Sequence, residues 1–304
     1  MSKVYVFNRY GGPEGQELID RPVPEPGPGE LGVEVRAAAV NPADWKLRSG
    51  HLGQNQELPV AMGREVAGIV TAVGSDVDGF AVGDEILGSV APGHGGFAEH
   101  TIVRATDAVA KPDEITFADA ATIPVAAATA YDGTHQIELQ AGQTMLILGI
   151  GGGIGLMAAQ IGKVHEFTVI GTASKSKRTI VESTGATLVP YGDALTSRLR
   201  EIAPDGVDLI LDLVGGDALR EVAELATEPS RIISAADPAT ATELGGSALK
   251  RSAESMAKIT DVIEYGLVDP HVSARFPLER AAEAISAVEN GHATGKVIVE
   301  MVSP

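Results

Sequence analysis

The run TMLILGIGGGIGLMAAQIGK, residues 144–163, constrains the fold more than any other stretch. An apolar, strand-like segment breaks into glycines and resumes with Leu156, Ala159, Gln160 and Lys163 at helical spacing. A strand feeding through glycines into a helix lets the backbone approach a phosphate and aims the helix N-terminus at its charge. The usual G-x-G-x-x-G ending on Gly155 needs glycines at 150 and 152, yet position 150 is Ile150. The spacing Gly149-x-x-Gly152-x-x-Gly155 fits without exception. A tight turn with no ligand is the bland alternative, and the flanking pattern argues against it. Strand-like segments at 167–172, 187–189, 207–214 and 231–235 alternate with helical candidates at about 155–165, 175–184, 193–202 and 216–227. That alternation implies βαβ units and a parallel sheet, and favours reading the turn as dinucleotide-binding.

The identity of the dinucleotide is read from the end of the second strand. NAD sites place a carboxylate there for the ribose 2′-hydroxyl. Here the segment is VIGTASKSKR, without Asp or Glu. Ser174, Lys175, Lys177 and Arg178 are suited instead to a 2′-phosphate, by hydroxyl donation and charge-assisted bonds. The competing reading is an exposed helix start with ordinary basic residues. The pattern predicts NADPH.

Outside this region the chain changes character. The first ~120 residues carry β-branched runs cut by Pro and Gly, the pattern of many short strands. AATIPVAAATAYDGTHQI is Ala-rich and helical apart from Pro124. The tail returns to helices closed by glycine and to strand-like HVSARF and KVIVEMV. The 304 residues carry a net charge of −18, which disfavours nucleic acid and anionic membranes as partners. The absence of cysteine removes disulfides, thiolate nucleophiles and Cys-based zinc sites. With no long apolar leader or span at hand, a cytoplasmic location is expected. No G-x-S-x-G elbow occurs, which disfavours a hydrolase.

Several segments together are familiar. AAAVNPADWKLRSG resembles N-P-x-D-x-x-x-R-x-G, and MGREVAGIVTAVGSDVDGFAVGDEI resembles G-x-E/D-x-x-G-x-V followed by V-G-D. GGFAEH, AATIPVAAATAY, the glycine turn, GATLVPYGD, VDLILDLVGG and GHATGKVIVEM complete the set. By these the chain resembles the zinc-free medium-chain dehydrogenase/reductases, in particular the NADPH:quinone reductase, or zeta-crystallin-like, group. In that group the first turn position is alanine, so Ile150 is a larger apolar residue at a site already free of glycine. The resemblance implies a GroES-like, partly open β-barrel domain from 1–122 and 267–304. It implies a Rossmann domain, a doubly wound parallel sheet, from 123–266 and an active site in the cleft between them.

The resemblance also implies site residues. Gly151, Gly152, Gly153 and Ile154 would meet the pyrophosphate. Ser174, Lys175 and Arg178 would meet the 2′-phosphate, Tyr191 would pack by the adenosine, and Thr172 is a further cofactor-binding residue. Val214, Ala235 and Ala236 would line the nicotinamide side, near Asn41, and Thr129 is a further cofactor-binding candidate from the Ala-rich helix. Zinc-dependent relatives hold their metal with a Cys and a His at positions matching Asn41 and Arg64, so no metal site is expected here. The seven histidines, His292 among them, form no ligand cluster in sequence and are taken as structural or surface residues.

Without a metal, the accessible chemistry is hydride delivery to an electron-poor acceptor. Quinones fit, as do α,β-unsaturated carbonyls. A non-enzymatic NADPH-binding role is the remaining alternative. Asn41 is the first candidate to donate to the acceptor oxygen, with a turn residue before Pro42 as its plain alternative. Asp44 either orients its neighbours or caps the helix of ADWKLRSG. Arg64 suits a pair with Glu65 or Asp44. Tyr131 is one available proton donor. The resemblance implies a homodimer built on a hydrophobic edge strand, but DPATATELGGSALKRS is short and polar at that place and weakens the expectation.

Overall fold

In the computed structural model, which describes residues 1–291 and 293–301, the Pro- and Gly-punctuated N-terminal region forms seven strands. They are β1 Ser2–Phe7, β2 Gln16–Arg21, β3 Glu30–Val40, β4 Val60–Ala61, β5 Glu65–Val73, β6 Glu85–Val90 and β7 His100–Ala110, with helices α1 Pro42–Arg48 and α2 Phe117–Ala120. Strands β2-β1-β4 make one small antiparallel sheet. β3 pairs with β5 and also with β7, so β3-β5-β6-β7 closes on itself as a barrel. β3 is buried along most of both faces, which is why its sequence ends in the apolar run AAAV rather than alternating. Contacts divide the chain into two units, Met1–Val125 together with the chain from Val272 onward, and Ala126–His271. The boundaries expected from sequence lie three and five residues earlier.

The second unit opens with α3 Ala128–His135 and continues with β8 Thr144–Leu148, α4 Gly153–Val164, β9 Thr168–Ala173, α5 Arg178–Ser183, β10 Thr187–Pro190, α6 Leu195–Ile202, β11 Leu209–Asp212, α7 Gly216–Val222, β12 Ile232–Ser234, α8 Pro238–Glu243, β13 Ser247–Ala248 and α9 Ser255–Glu264. All pairings in its sheet are parallel, in the order β10-β9-β8-β11-β12-β13. Counted from β8 this is 3-2-1-4-5-6, the Rossmann order, and the strand order reverses between β8 and β11. The Ala-rich stretch is broken as Pro124 predicts, with a π-helical turn at Ile123–Ala127 between α2 and α3.

β13 is short, and Gln136 bonds to its last carbonyl and to the residues around it. The Gln136 amide donates to Ala248 O (3.0 Å) and Ser247 Oγ (3.2 Å) and accepts from Lys250 N (2.7 Å). The chain then returns to the first unit as β14 Val272–Pro277, α10 Ala281–Glu289 and β15 Lys296–Glu300. β15 runs antiparallel to β3 with Val297 opposite Val40, which carries Lys296 to the end of β3.

Candidate active site

The glycine turn sits at the carboxyl end of β8, beside the point where strand order reverses. Gly149 has φ +80°, a left-handed conformation that glycine adopts without strain. Its N–H and that of Ile150 both donate to Thr172 O at 3.1 Å, which ties the turn to β9. Gly152 is the N-cap of α4, whose first turn presents N–H groups that lack intrahelical partners. A Cβ on Gly155 would lie 2.5 Å from Ile150 Cα and 2.7 Å from Gly149 O, so glycine here keeps the helix against the turn. Ile150 is fully buried. A Cβ on Gly171 would meet its side chain at 2.3 Å, so Ile150 occupies the volume that Gly171 leaves on β9.

The basic segment divides into two directions. Ser174 Oγ and Ser176 Oγ share a hydrogen bond of 2.8 Å, and Lys175 is exposed. Lys177 folds back over the turn, its Nζ 3.3 Å from Gly151 O, and burial holds its pKa below the ordinary lysine range. Arg178 pairs with Glu182 along α5. Tyr191 and Val214 are large apolar side chains left 64% and 52% exposed. Val214 approaches the turn, where a Cβ on Gly149 would meet its Cγ2 at 3.0 Å.

Asp212, fully buried at the end of β11, shapes the strand ends around it. Its Oδ1 accepts from Val214 N (3.0 Å) and Gly215 N (2.8 Å), and its Oδ2 accepts from Ser234 Oγ (2.5 Å). Ser234 Oγ in turn accepts from Ala236 N (3.2 Å), and Ala235 N donates to Asp212 O (3.0 Å). Thr129 is nearly buried and accepts from Arg251 Nη1 at 3.2 Å. Tyr131 stacks on His135, ring centroids 3.9 Å apart.

The first unit holds a different construction at the end of β3. Asn41, Asp44, Glu65 and Lys296 are all buried. Asn41 Nδ2 donates to Glu65 Oε1 at 2.8 Å, and Lys296 Nζ donates to Asn41 Oδ1 (2.8 Å), Glu65 Oε1 (3.0 Å) and Val40 O (3.1 Å). Glu65 Oε2 accepts from Val125 N at 2.7 Å. Asp44 reaches back from α1 to accept from Asn41 N at 2.7 Å, one half of a capping box. Burial pushes the Asp44 carboxyl up from 3.8 to about 6, and the Asn41 N–H, Arg64 and Lys296 offset part of that rise.

Lys296 takes the place beside Glu65 that sequence offered to Arg64, whose side chain is exposed. Lys296 and Asp212 went unrecognised in sequence. The available signal was a charged residue at the end of a short apolar strand, Lys296 opening KVIVE and Asp212 closing LILD. The structure thus brings Asn41 and Asp44 together in one cluster. It brings Gly151, Gly152, Gly153, Ile154 and Thr172 together in one cradle, with Val214 beside it. Among the described residues no group of three His, Cys, Asp or Glu is placed to hold a metal ion, and His292 lies outside them. No described helix is long and apolar enough to cross a membrane.

Comparison with known proteins matches both units of the chain. Residues 27–113 match the alcohol dehydrogenase GroES-like domain, and residues 184–299 match the zinc-binding dehydrogenase family. The chain is 33% identical to an NADPH-dependent alkenal/one oxidoreductase of Arabidopsis thaliana, covering 98% of this chain and 79% of the relative. It is 30% identical to a 2-methylene-furan-3-one reductase of Solanum lycopersicum, covering 99% and 79%. The solved structure of a quinone oxidoreductase from Coxiella burnetii superposes with a TM-score of 0.91 at 27% identity, over 99% of both chains. A barrel unit joined to a Rossmann unit, matched along nearly the whole chain at this identity, makes the protein a member of the medium-chain dehydrogenase/reductase family, in which its motifs are those of the zeta-crystallin-like group.

Proposed function

We propose that this chain is an NADPH-dependent reductase that delivers a hydride to an activated carbonyl acceptor, a quinone or an α,β-unsaturated aldehyde or ketone. The observation that carries the reading is the end of β9, where Ser174, Lys175 and Lys177 stand and no carboxylate is present. The A. thaliana relative is named for NADPH and for alkenals, and the C. burnetii structure for quinones. The cradle fits the cofactor: Gly155 keeps the helix start tight on the turn, and Tyr191 and Val214 leave apolar surface for flat rings.

NADPH supplies the hydride when bound. The chain binds and orients it. Gly151, Gly152, Gly153 and Ile154 hold the pyrophosphate on the α4 N-terminus. Ser174, Lys175 and Arg178 take the 2′-phosphate, and Lys177 adds its charge over the turn. Tyr191 packs by the adenosine. Thr129, Val214, Ala235 and Ala236 border the nicotinamide side. Thr172 fixes the turn through its carbonyl.

At the acceptor, Asn41 donates. One Nδ2 hydrogen goes to Glu65 at 2.8 Å, and the other makes only a long bond of 3.4 Å to Ala39 O, the weaker of the two and the one an incoming acceptor oxygen would replace. That hydrogen is suited to an acceptor oxygen gaining negative charge. Asp44 holds a proton under mildly acidic conditions. Enone reduction requires a proton at carbon, whereas a hydroquinone takes its protons from water. Two relatives named for enone-type substrates favour that acceptor class as the second reading.

The test is to mix purified protein with NADPH or NADH and panels of quinones and enones, following cofactor absorbance. NADPH oxidation with either panel is expected. Equal use of NADH would remove the 2′-phosphate assignment, and no oxidation with any acceptor would remove the enzymatic reading. We further propose a cytoplasmic location, which the cysteine-free composition suits because that compartment is reducing. For assembly, we propose that any homodimer forms without lengthening the Rossmann sheet, because Gln136 already pairs with its last strand. Light scattering on wild type and Gln136→Ala checks this, and a wild-type dimer that Gln136→Ala leaves unchanged but substitutions at 247–248 dissolve would contradict it.

A further inference from the structure

We propose that Lys296 is a positioning residue for hydride transfer: with Glu65 it locks the Asn41 side-chain amide in the orientation that presents an N–H to the acceptor. The proposal rests on the role given above to Asn41.

An asparagine amide has two ends of nearly equal shape and opposite hydrogen-bonding character. Rotation by half a turn would exchange them. Here Oδ1 faces the Lys296 ammonium and Nδ2 faces the Glu65 carboxylate, both at 2.8 Å. The flipped amide would set oxygen against carboxylate and N–H against ammonium, replacing two attractive contacts with two repulsive ones. Each charged partner is itself anchored. Lys296 Nζ has a third bond to Val40 O at 3.1 Å, and Glu65 Oε2 is held by Val125 N at 2.7 Å. Neither can turn to follow a rotating amide.

Stability alone is a poor reason for such an arrangement. Removing two charges from water costs more than their attraction commonly returns, and a well-packed apolar pair of similar volume is often at least as stable. Lys296 and Glu65 are 4% and 0% exposed. What the pair supplies that an apolar pair cannot is direction for the amide between them. Strand register makes this possible, since β15 brings Lys296 beside a residue 255 positions away in sequence.

The test compares Asn41→Ala, Lys296→Met and the double variant Glu65→Gln/Lys296→Met. Stability in urea, kcat, KM for NADPH and the Asn41 side-chain NH2 signals in ¹⁵N–¹H spectra are measured for each. Asn41→Ala is expected to lower kcat about 100-fold. Lys296→Met leaves a buried carboxylate without its cation and is expected to lose stability as well as kcat. The double variant removes both charges and is expected to recover stability while kcat stays at least about tenfold low. KM for NADPH is expected to hold within about twofold, and the Asn41 NH2 protons to exchange faster than in wild type. A double variant with wild-type kcat or unchanged Asn41 signals would overturn the proposal and leave Lys296 a structural residue. Full activity in Asn41→Ala would instead remove the role of Asn41 itself, whatever Lys296 does.

Discussion

The glycine cradle and the buried ion cluster solve opposite problems. The cradle works by leaving side chains out: Gly149 and Gly155 give room for a helix start to close on a turn, and in the proposed role phosphate recognition would fall to backbone N–H groups. The cluster works by putting charge in, with Glu65 and Lys296 taken out of water and hydrogen-bonded to their neighbours. A site made of space tolerates change where a neighbouring vacancy can absorb it, as Ile150 shows. A site made of buried charge tolerates little, because losing one member strands another.

That contrast is sharpest for Lys296→Met, expected to destabilise the protein by about 3–5 kcal/mol in urea unfolding. A loss below about 1 kcal/mol would mean that the cluster is as forgiving as a surface pair. Next comes Asp44. Its folded pKa lies above its unfolded value, so its carboxyl favours folding at low pH and this contribution is lost as pH rises from about 4 to about 6. The change corresponds to roughly 3 kcal/mol. Asp44→Asn should remove that dependence, so that its stability relative to wild type improves across this interval. A constant difference between the two proteins would show that Asp44 ionises as if exposed.

In the cradle, Gly155→Ala is expected to cost about 1–3 kcal/mol and to weaken NADPH at least about tenfold, since its Cβ meets backbone atoms that cannot simply rotate away. Titration of NADPH binding checks it, and unaltered affinity would separate the tight turn from phosphate binding. The smallest effect on folding belongs to Lys175→Ala with Arg178→Ala. The exposed Arg178–Glu182 pair contributes only about 0.3–0.5 kcal/mol, so stability should barely move. NADPH should still weaken about tenfold against NADH, and equal weakening would leave the 2′-phosphate to other residues.

The two regions also differ in how much of them a sequence displays. The cradle is local: strand, glycines and helix are contiguous, and the ribose-side residues follow one strand later, so spacing alone predicts them. The alternation after it gives the parallel sheet, and the resemblance placed the tail. The cluster is assembled from residues 41, 44, 65 and 296; a local helix cap joins the first two, and only strand register brings in Glu65 and Lys296. Asn41 is visible beside Pro42 and Asp44 as a candidate helix cap, but Lys296 lies at the start of an apolar strand whose partner no local pattern names. Asp212 is hidden for the same reason, a carboxylate whose partners lie on its own turn and on the next parallel strand.

Ile150 and Gly171 carry a consequence for how this turn can change over time. They sit on neighbouring strand ends and fill one volume between them, so neither position has an independent history. A methyl group at 171 is blocked while isoleucine stands at 150, and shrinking residue 150 first opens a cavity in a buried layer. Any route between this turn and one with a small residue at 150 therefore passes through a less stable intermediate in a fixed order. The two substitutions should be strongly non-additive, and the order in which a lineage acquires them is restricted by packing rather than by the cofactor.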